Sequence, residues 1–438
     1  MTATAFQSDT TTLDRTPPNP ALPSLSSMRF LAAIAVFGAH GALEILFLNQ
    51  MLGGVYLFGV MPIALSGVSY FFLLSGFVLT WSHRSDDTAR RFWRRRFWRI
   101  YPNHLVVFVL AAGLMIWAGL TFTPSQALTQ LFLVHAWIPD PNYFNTINNV
   151  SWSLSVEVFC YLLFPVLIRL VTKIRPERLW YWAGALVTVI LTVPVISDFL
   201  LPEGTPHPLG NVSLLQFLGA LNDPDNPPDA WGDASVAQVW FVYDLPIVRA
   251  VEFVLGMIVA RIVMNRRWIG LRPLAAAALL VAVYAADIFV PYLYQLTAVT
   301  IVPMLLLLGS VAASDFAGRK SVLQRRGMVW LGDLTYAFYL LHGLVLVYGH
   351  LAFGTIDLGD GPQPKSWPTL TAIGFLAGSF VVSLILAWLL HNLVEKPAMR
   401  RWSRPRHKAD ATPVAPAEPI SAERQISSPV SNASDVGR

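Results

Sequence analysis

Ten apolar runs, most of them close to twenty residues long and separated by charged or polar connectors, constrain this chain more than any other feature. A helix needs about 20 residues to cross the hydrocarbon of a bilayer, and helical backbone meets all its hydrogen bonds internally there. The runs fall at 28–48, 62–82, 100–120, 149–171, 179–201, 246–264, 272–290, 294–313, 329–351 and 369–393. They predict an all-α fold, a polytopic transmembrane helix bundle of about ten spans. Composition excludes a soluble chain: 55% of residues are hydrophobic and 13% are charged. Soluble domains carry about twice that charged share, and fewer charges cannot cover a water-facing surface of this size. The segment 125–138 is apolar but short and ends in Pro139-Asp140-Pro141. It reads as a re-entrant or interfacial piece rather than an eleventh crossing.

The cations sort the connectors into two groups. With a cytosolic N-terminus, the inside connectors 83–99, 172–178, 265–271 and 314–328 hold sixteen Lys and Arg. The outside connectors 49–61, 121–148, 202–245, 291–293 and 352–368 hold one, Lys365. This is the positive-inside pattern. It predicts that both termini are cytosolic, and it explains the net charge of +5 without a nucleic-acid partner. The partner of the apolar surface is the lipid bilayer, and the expected location is a cell membrane, of the bacterial inner or plasma type. The Thr/Pro-rich segment 1–24 and the Ser/Pro/Ala-rich tail 406–438 read as disordered, leaving 25–405 as the transmembrane domain. The N-terminus lacks the build of a cleavable signal. Cys160, the one cysteine, can form neither an internal disulfide nor a cysteine-based metal cage.

Ionisable side chains within spans are costly, and each is a functional candidate. Arg29, His40 and Glu44 fall on one stripe of the first span, with His40 about 17 Å deeper than Arg29 at 1.5 Å per residue. Ser153, Glu157 and Tyr161 share a face of the fourth span at i, i+4 spacing. Thr335, Tyr339 and His342 share a face of the ninth. Counted from the cytosolic ends, Glu157 lies about 21 Å deep and His342 about 20 Å, so His40, Glu157 and His342 reach similar depth from three helices. The competing readings are structural: a histidine bonded to a neighbouring helix, or a glutamate holding the re-entrant segment. Between 84 and 99 stand seven arginines among aromatics. An interfacial helix with snorkelling cations accounts for most of them. Arginine forks also bind phosphate bidentately, so a polyphosphate ligand such as coenzyme A is a second role. Phosphate-binding, dinucleotide and metal-ligand motifs are absent, as is a nucleophile elbow.

Several blocks, in this order, resemble the acyltransferase-3 family of integral membrane acyltransferases. Met28-Arg29-Phe30-Leu31-Ala32-Ala33 leading to His40 is similar to the family's Arg-x10-His first helix. Gly67 to Phe77 resembles its Phe-Phe-x-x-Ser-Gly-Phe block, and Arg96-Phe97-Trp98-Arg99-Ile100-Tyr101-Pro102 its Arg-x-x-Arg-Ile-x-Pro. Ser151 to Glu157 resembles its Trp-Ser-Leu-x-x-Glu block. Leu331 through His342 and Glu395-Lys396-Pro397 resemble its last two elements. Ala39, Met28 and Thr335 depart from the commoner residues at their positions. The resemblance covers about 25–403.

It implies an O-acyltransferase that moves an acetyl or short acyl group from acyl-CoA to a hydroxyl of a carbohydrate, glycoside or macrolide-type acceptor. Acyl-CoA, most simply acetyl-CoA, is then a donor substrate, and no bound cofactor or metal is expected. His40 is the candidate general base, with Glu157 or Glu44 orienting it and His342 as a further catalytic candidate. Arg29, Arg96 and Arg99 are candidates for the donor phosphates. The alternative is a carbohydrate or lipid-intermediate transporter with a buried His/Glu proton relay, which would favour inverted repeats and broken helices; neither is visible in the sequence.

Overall fold

A computed structural model describes residues 19–402 apart from 85, 202–203, 206, 208–233, 288 and 358–361. The segment 1–18, the tail 406–438 and most of the long connector 202–245 lie outside the described residues. The bundle is built from helices α1 (Pro23–Leu43), α2 (Gln50–Trp81), α3 (Ala89–Trp117), α4 (Pro124–Leu131), α5 (Trp152–Lys173) and α6 (Leu179–Leu200). It continues with α7 (Pro246–Met264), α8 (Pro273–Asp287), α9 (Ile301–Phe316), α10 (Arg326–Ala352), α11 (Thr369–Leu390) and α12 (Lys396–Trp402). Among the described residues, the strands are a short antiparallel ribbon, Thr355–Asp357 with Pro362–Pro364.

Local sequence explains the helix starts. Pro23 opens α1, where a missing N–H costs nothing. The Asn49 side chain accepts the Leu52 N–H at 3.0 Å to cap α2, and Thr123 with Gln126 forms a capping box on α4. Seven helical segments are long and apolar enough to cross a membrane: Pro23–Leu43, Gln50–Trp81, Ala89–Trp117, Asn149–Lys173, Pro176–Leu200, Arg326–Ala352 and Thr369–Trp402. Helices also occupy the other three expected positions, but they differ in kind. α8 and α9 have 15 and 16 residues, and the apolar run that suggested a span from 294 is broken by turns before Ile301. α7 has 19 residues and carries Arg249, Glu252 and Arg261. The segment after α3 makes only the eight-residue α4 and a short turn at His135–Trp137, too short for a crossing at ~1.5 Å per residue. Gln130 pins it, donating to the Asn148 carbonyl at 2.8 Å and to Ser151 Oγ at 2.6 Å.

α7 is the centre of the bundle. Phe253, Leu255 and Met257 through Ala260 are essentially inaccessible, as expected of a helix enclosed on every side. α2, α5, α6 and α9 surround it, while α1 packs between α2 and α10. Small residues set the closest crossing: Gly76 of α2 lies on the Phe253 carbonyl, and Gly256 of α7 lies on the Leu73 carbonyl. Such contacts substitute for a hydrophobic drive between helices in lipid. They hold the stretch Phe71–Ser75 of α2 in place.

Candidate active site

The first half of α1, the second half of α2, and parts of α3, α5 and α10 enclose a cavity of about 360 Å³. Its wall along α2 runs from Trp81 to Val68, a length of about 20 Å at the helical rise. Arg29 of α1 and Arg96 and Arg99 of α3 all line it. None of these three guanidiniums has a carboxylate or hydrogen-bond partner among the described residues. Arg96 is steadied instead by aromatic faces, with its guanidinium carbon 5.4 Å from the Phe92 ring centre and 5.5 Å from that of Tyr161. Each guanidinium offers five N–H donors, so the cavity presents a dense set of cationic donors, with Glu157 and Asp333 as the carboxylates in its lining. The face expected on α5 is also there: Ser153, Glu157 and Tyr161 all line the same space. Glu157 accepts the Tyr161 hydroxyl, and Ser75 approaches both, at 3.5 Å and 3.4 Å.

His40 and His342 are brought together beside this cavity, not in its wall. His342 Nε2 lies 3.3 Å from His40 Nδ1. His40 Nδ1 is 2.9 Å from the Val36 carbonyl oxygen, and His342 Nδ1 is 2.8 Å from that of Tyr339. A carbonyl only accepts, so each neutral imidazole carries its proton on Nδ1, an assignment inferred from partners. His342 Nε2 is then a bare lone pair facing the His40 Nδ1–H. His40 Nε2 is bare as well and has no partner among the described residues. His342 is fully buried, with the Phe338 ring stacked on it at 5.7 Å.

The matching depths of His40, Glu157 and His342 thus join two residues and not the third. Neither expected carboxylate orients His40. Glu157 is engaged by Tyr161 and Ser75. Glu44, one turn beyond His40, pairs with His350 Nδ1 at 3.1 Å, and the other nitrogen of His350 meets the Lys365 carbonyl at 2.9 Å. The re-entrant segment is held by Gln130 and Ser151, not by Glu157.

Sequence reading passed over a second buried cluster. Arg249 donates to Glu252 at 2.7 Å and to Ser69 Oγ at 2.9 Å. It also lies over the rings of Tyr243 and Phe72, at 4.7 Å and 5.3 Å. Phe72 lines the cavity, so this pair backs its wall. Two charges three residues apart inside an apolar run were the signal available.

A polytopic helical bundle with an arginine-containing cavity and an adjoining histidine pair has the build of a multi-pass membrane enzyme. The chain belongs to the acyltransferase-3 family: the family model, described as an acyltransferase domain, matches residues 22–392. Its chemistry is acyl transfer, in a multi-pass membrane protein. The chain is 35% identical over 402 residues to the acyltransferase MdmB of Streptomyces mycarofaciens, covering 89% of this chain and 95% of that protein. It is 23% identical to the putative peptidoglycan O-acetyltransferase YrhL of Bacillus subtilis, over 86% of this chain and 54% of YrhL. It is 28% identical to the peptidoglycan O-acetyltransferase OatA of Listeria monocytogenes, over 35% of this chain and 25% of OatA. No solved structure matches the chain significantly.

Proposed function

We propose that this protein transfers an acetyl or other short acyl group from acyl-CoA to a hydroxyl of a carbohydrate, glycoside or macrolide-type acceptor. One observation carries the donor: Arg29, Arg96 and Arg99 converge on one cavity, and among the described residues none of the three forms a salt bridge, although Glu157 and Asp333 also line it. Three guanidiniums against two carboxylates leave an excess of positive charge in the cavity, which suits an anion such as a nucleotide diphosphate with an additional phosphate. The lipid-facing bundle, the clustered cations and the O-acetyltransferase relatives support the same reading. We assign the cavity mouth to the cytosol, with both termini there and ten spans in all, on the asymmetry of Lys and Arg between connectors.

His40 serves as general base. An alcohol is a weak nucleophile at neutral pH. Its oxygen bonds to the thioester carbonyl carbon while its proton passes to the bare His40 Nε2. The imidazolium that forms keeps its Nδ1–H on the Val36 carbonyl and the His342 lone pair. His342 therefore occupies the place that a carboxylate holds behind the histidine of a hydrolase triad. The C–S bond then breaks, and the thiolate leaves with the proton from His40. Glu157 shapes the donor cavity rather than the base.

The test is His40→Gln, which keeps hydrogen bonding and approximate size but cannot take the proton. Detergent-solubilised protein with acetyl-CoA and a panel of glycosides is assayed by mass spectrometry for acetylated acceptor. Transfer is expected to fall by about 10²–10⁴-fold, with acetyl-CoA binding and melting temperature retained. Activity within about threefold of wild type, far short of a lost general base, refutes the assignment.

A further inference from the structure

Donor cavity and base are adjacent but do not share a wall. The cavity lining includes Phe71 and Tyr339 and omits both histidines. The Tyr339 ring is 5.7 Å from that of Phe71, edge to face, and 5.6 Å from that of His342. Tyr339 thus lines the cavity and also touches the histidine pair. With both histidines outside the lining, Tyr339 is the lining residue whose ring adjoins the pair, and it is the side chain that a thioester held by the arginines would have to pass to reach His40.

The ring is latched. Tyr339 Oη is 2.8 Å from Ser153 Oγ, and Ser153 Oγ is 3.0 Å from the Val150 carbonyl oxygen. The carbonyl can only accept, so it takes the serine proton, and the short contact is the tyrosine hydroxyl donating to the serine. α5 thereby holds a side chain of α10 across the opening. The backbone side of Tyr339 is fixed separately, by the His342 Nδ1–H on its carbonyl, so the side chain can swing without releasing His342.

We propose that Tyr339 is a positioning residue that partitions the donor cavity from the His40–His342 pair, with Ser153 as its latch. The inference rests on the donor reading above. In the latched state the thioester is kept from a base that would otherwise pass it to water. In that leak a water oxygen bonds to the carbonyl carbon, its proton goes by way of His40 to the departing thiolate, and the products are acetate and free CoA. The ring swings aside when transfer takes place.

The experiment is acceptor-free thiol release from acetyl-CoA by the full-length protein in detergent. The background is low because the single cysteine, Cys160, is buried. Tyr339→Phe removes the latch donor and keeps the ring, and Ser153→Ala removes the acceptor. Each is expected to raise thiol release about two- to tenfold, the population shift of one net hydrogen bond. The double variant is expected to match the singles, because both remove the same bond. Adding His40→Gln is expected to abolish the rise, which a merely loosened structure would not do. The partition is overturned by unchanged release in both single variants, by effects that multiply in the double variant, or by a rise that survives His40→Gln. Calorimetric titration of wild type with acetyl-CoA reads the donor assignment separately. Binding without the expected rise overturns the partition alone, and no binding overturns both.

Discussion

Replacing Gly256 by Ala tests whether the α2–α7 crossing sets the geometry of the site. A Cβ at Gly256 would lie 1.9 Å from the Leu73 carbonyl oxygen and 2.7 Å from its carbon. Ordinary carbon–oxygen contact begins at about 3.3 Å, so the helices must part by roughly 1.4 Å or one must rotate. The obstacle is backbone, and no rotamer change relieves it. Overpacking a tight core costs about 1–3 kcal/mol, and a rigid obstacle places this variant at the upper end, about 3 kcal/mol. The separation would also carry Phe72 and Ser75, which line the cavity, away from Glu157 and Tyr161. The assay is equilibrium unfolding in mixed micelles together with acetyl-CoA binding, and both should weaken. Gly378→Ala on α11 is the control, since a Cβ there meets nothing within 4 Å and helix propensity favours it by up to about 1 kcal/mol. If Gly256→Ala stays within about 0.5 kcal/mol of wild type, the range of an inert surface change, the close crossing does not set the packing.

Two other perturbations probe the charged groups. Changing Arg96 and Arg99 together to Lys retains the charge and membrane insertion but loses the bidentate fork. The apparent KM for acyl-CoA should rise about tenfold, the lower end of a charged hydrogen bond's worth, and wild-type donor saturation would remove these residues from the phosphate site. Arg249→Met leaves Glu252 buried at 2% exposure without its cation, and should cost about 3–5 kcal/mol in the same unfolding assay. Adding Glu252→Leu should restore much of that loss, and a double variant as unstable as the single would mean that the pair is held by packing rather than charge.

Helix positions were legible because each apolar run is itself the reason its helix exists in lipid. Where the expectation slipped, the cause was local. The run from 294 has the hydropathy of a span, but turns interrupt it, and hydropathy does not register backbone breaks. α7 illustrates the opposite case. Its length and position match the apolar run 246–264, yet its buried ion pair is not legible there, because spacing along one helix does not show that two charges neutralise each other in the core.

The site was legible in one dimension. Sequence gives the depth of a residue along its own helix, and Arg29, Arg96 and Arg99, expected together, line one cavity. The rotation of one helix against another is not in the periodicity of either. His40, Glu157 and His342 were matched in depth, but only packing decides which of them face each other. Phe37 and Phe338 pack together with ring centres 5.9 Å apart, and Gly332 seats α10 directly on the Ser26 carbonyl of α1. With α1 and α10 so close, His40 must turn toward His342. α5 meets Tyr339 through Ser153, and its Glu157 turns into the arginine cavity. The proposed division between donor cavity and base therefore rests on two helix contacts, one at Gly332 and one at the Ser153–Tyr339 bond. The sequence singles out Gly332, Ser153 and Tyr339 but not the contacts that pair them.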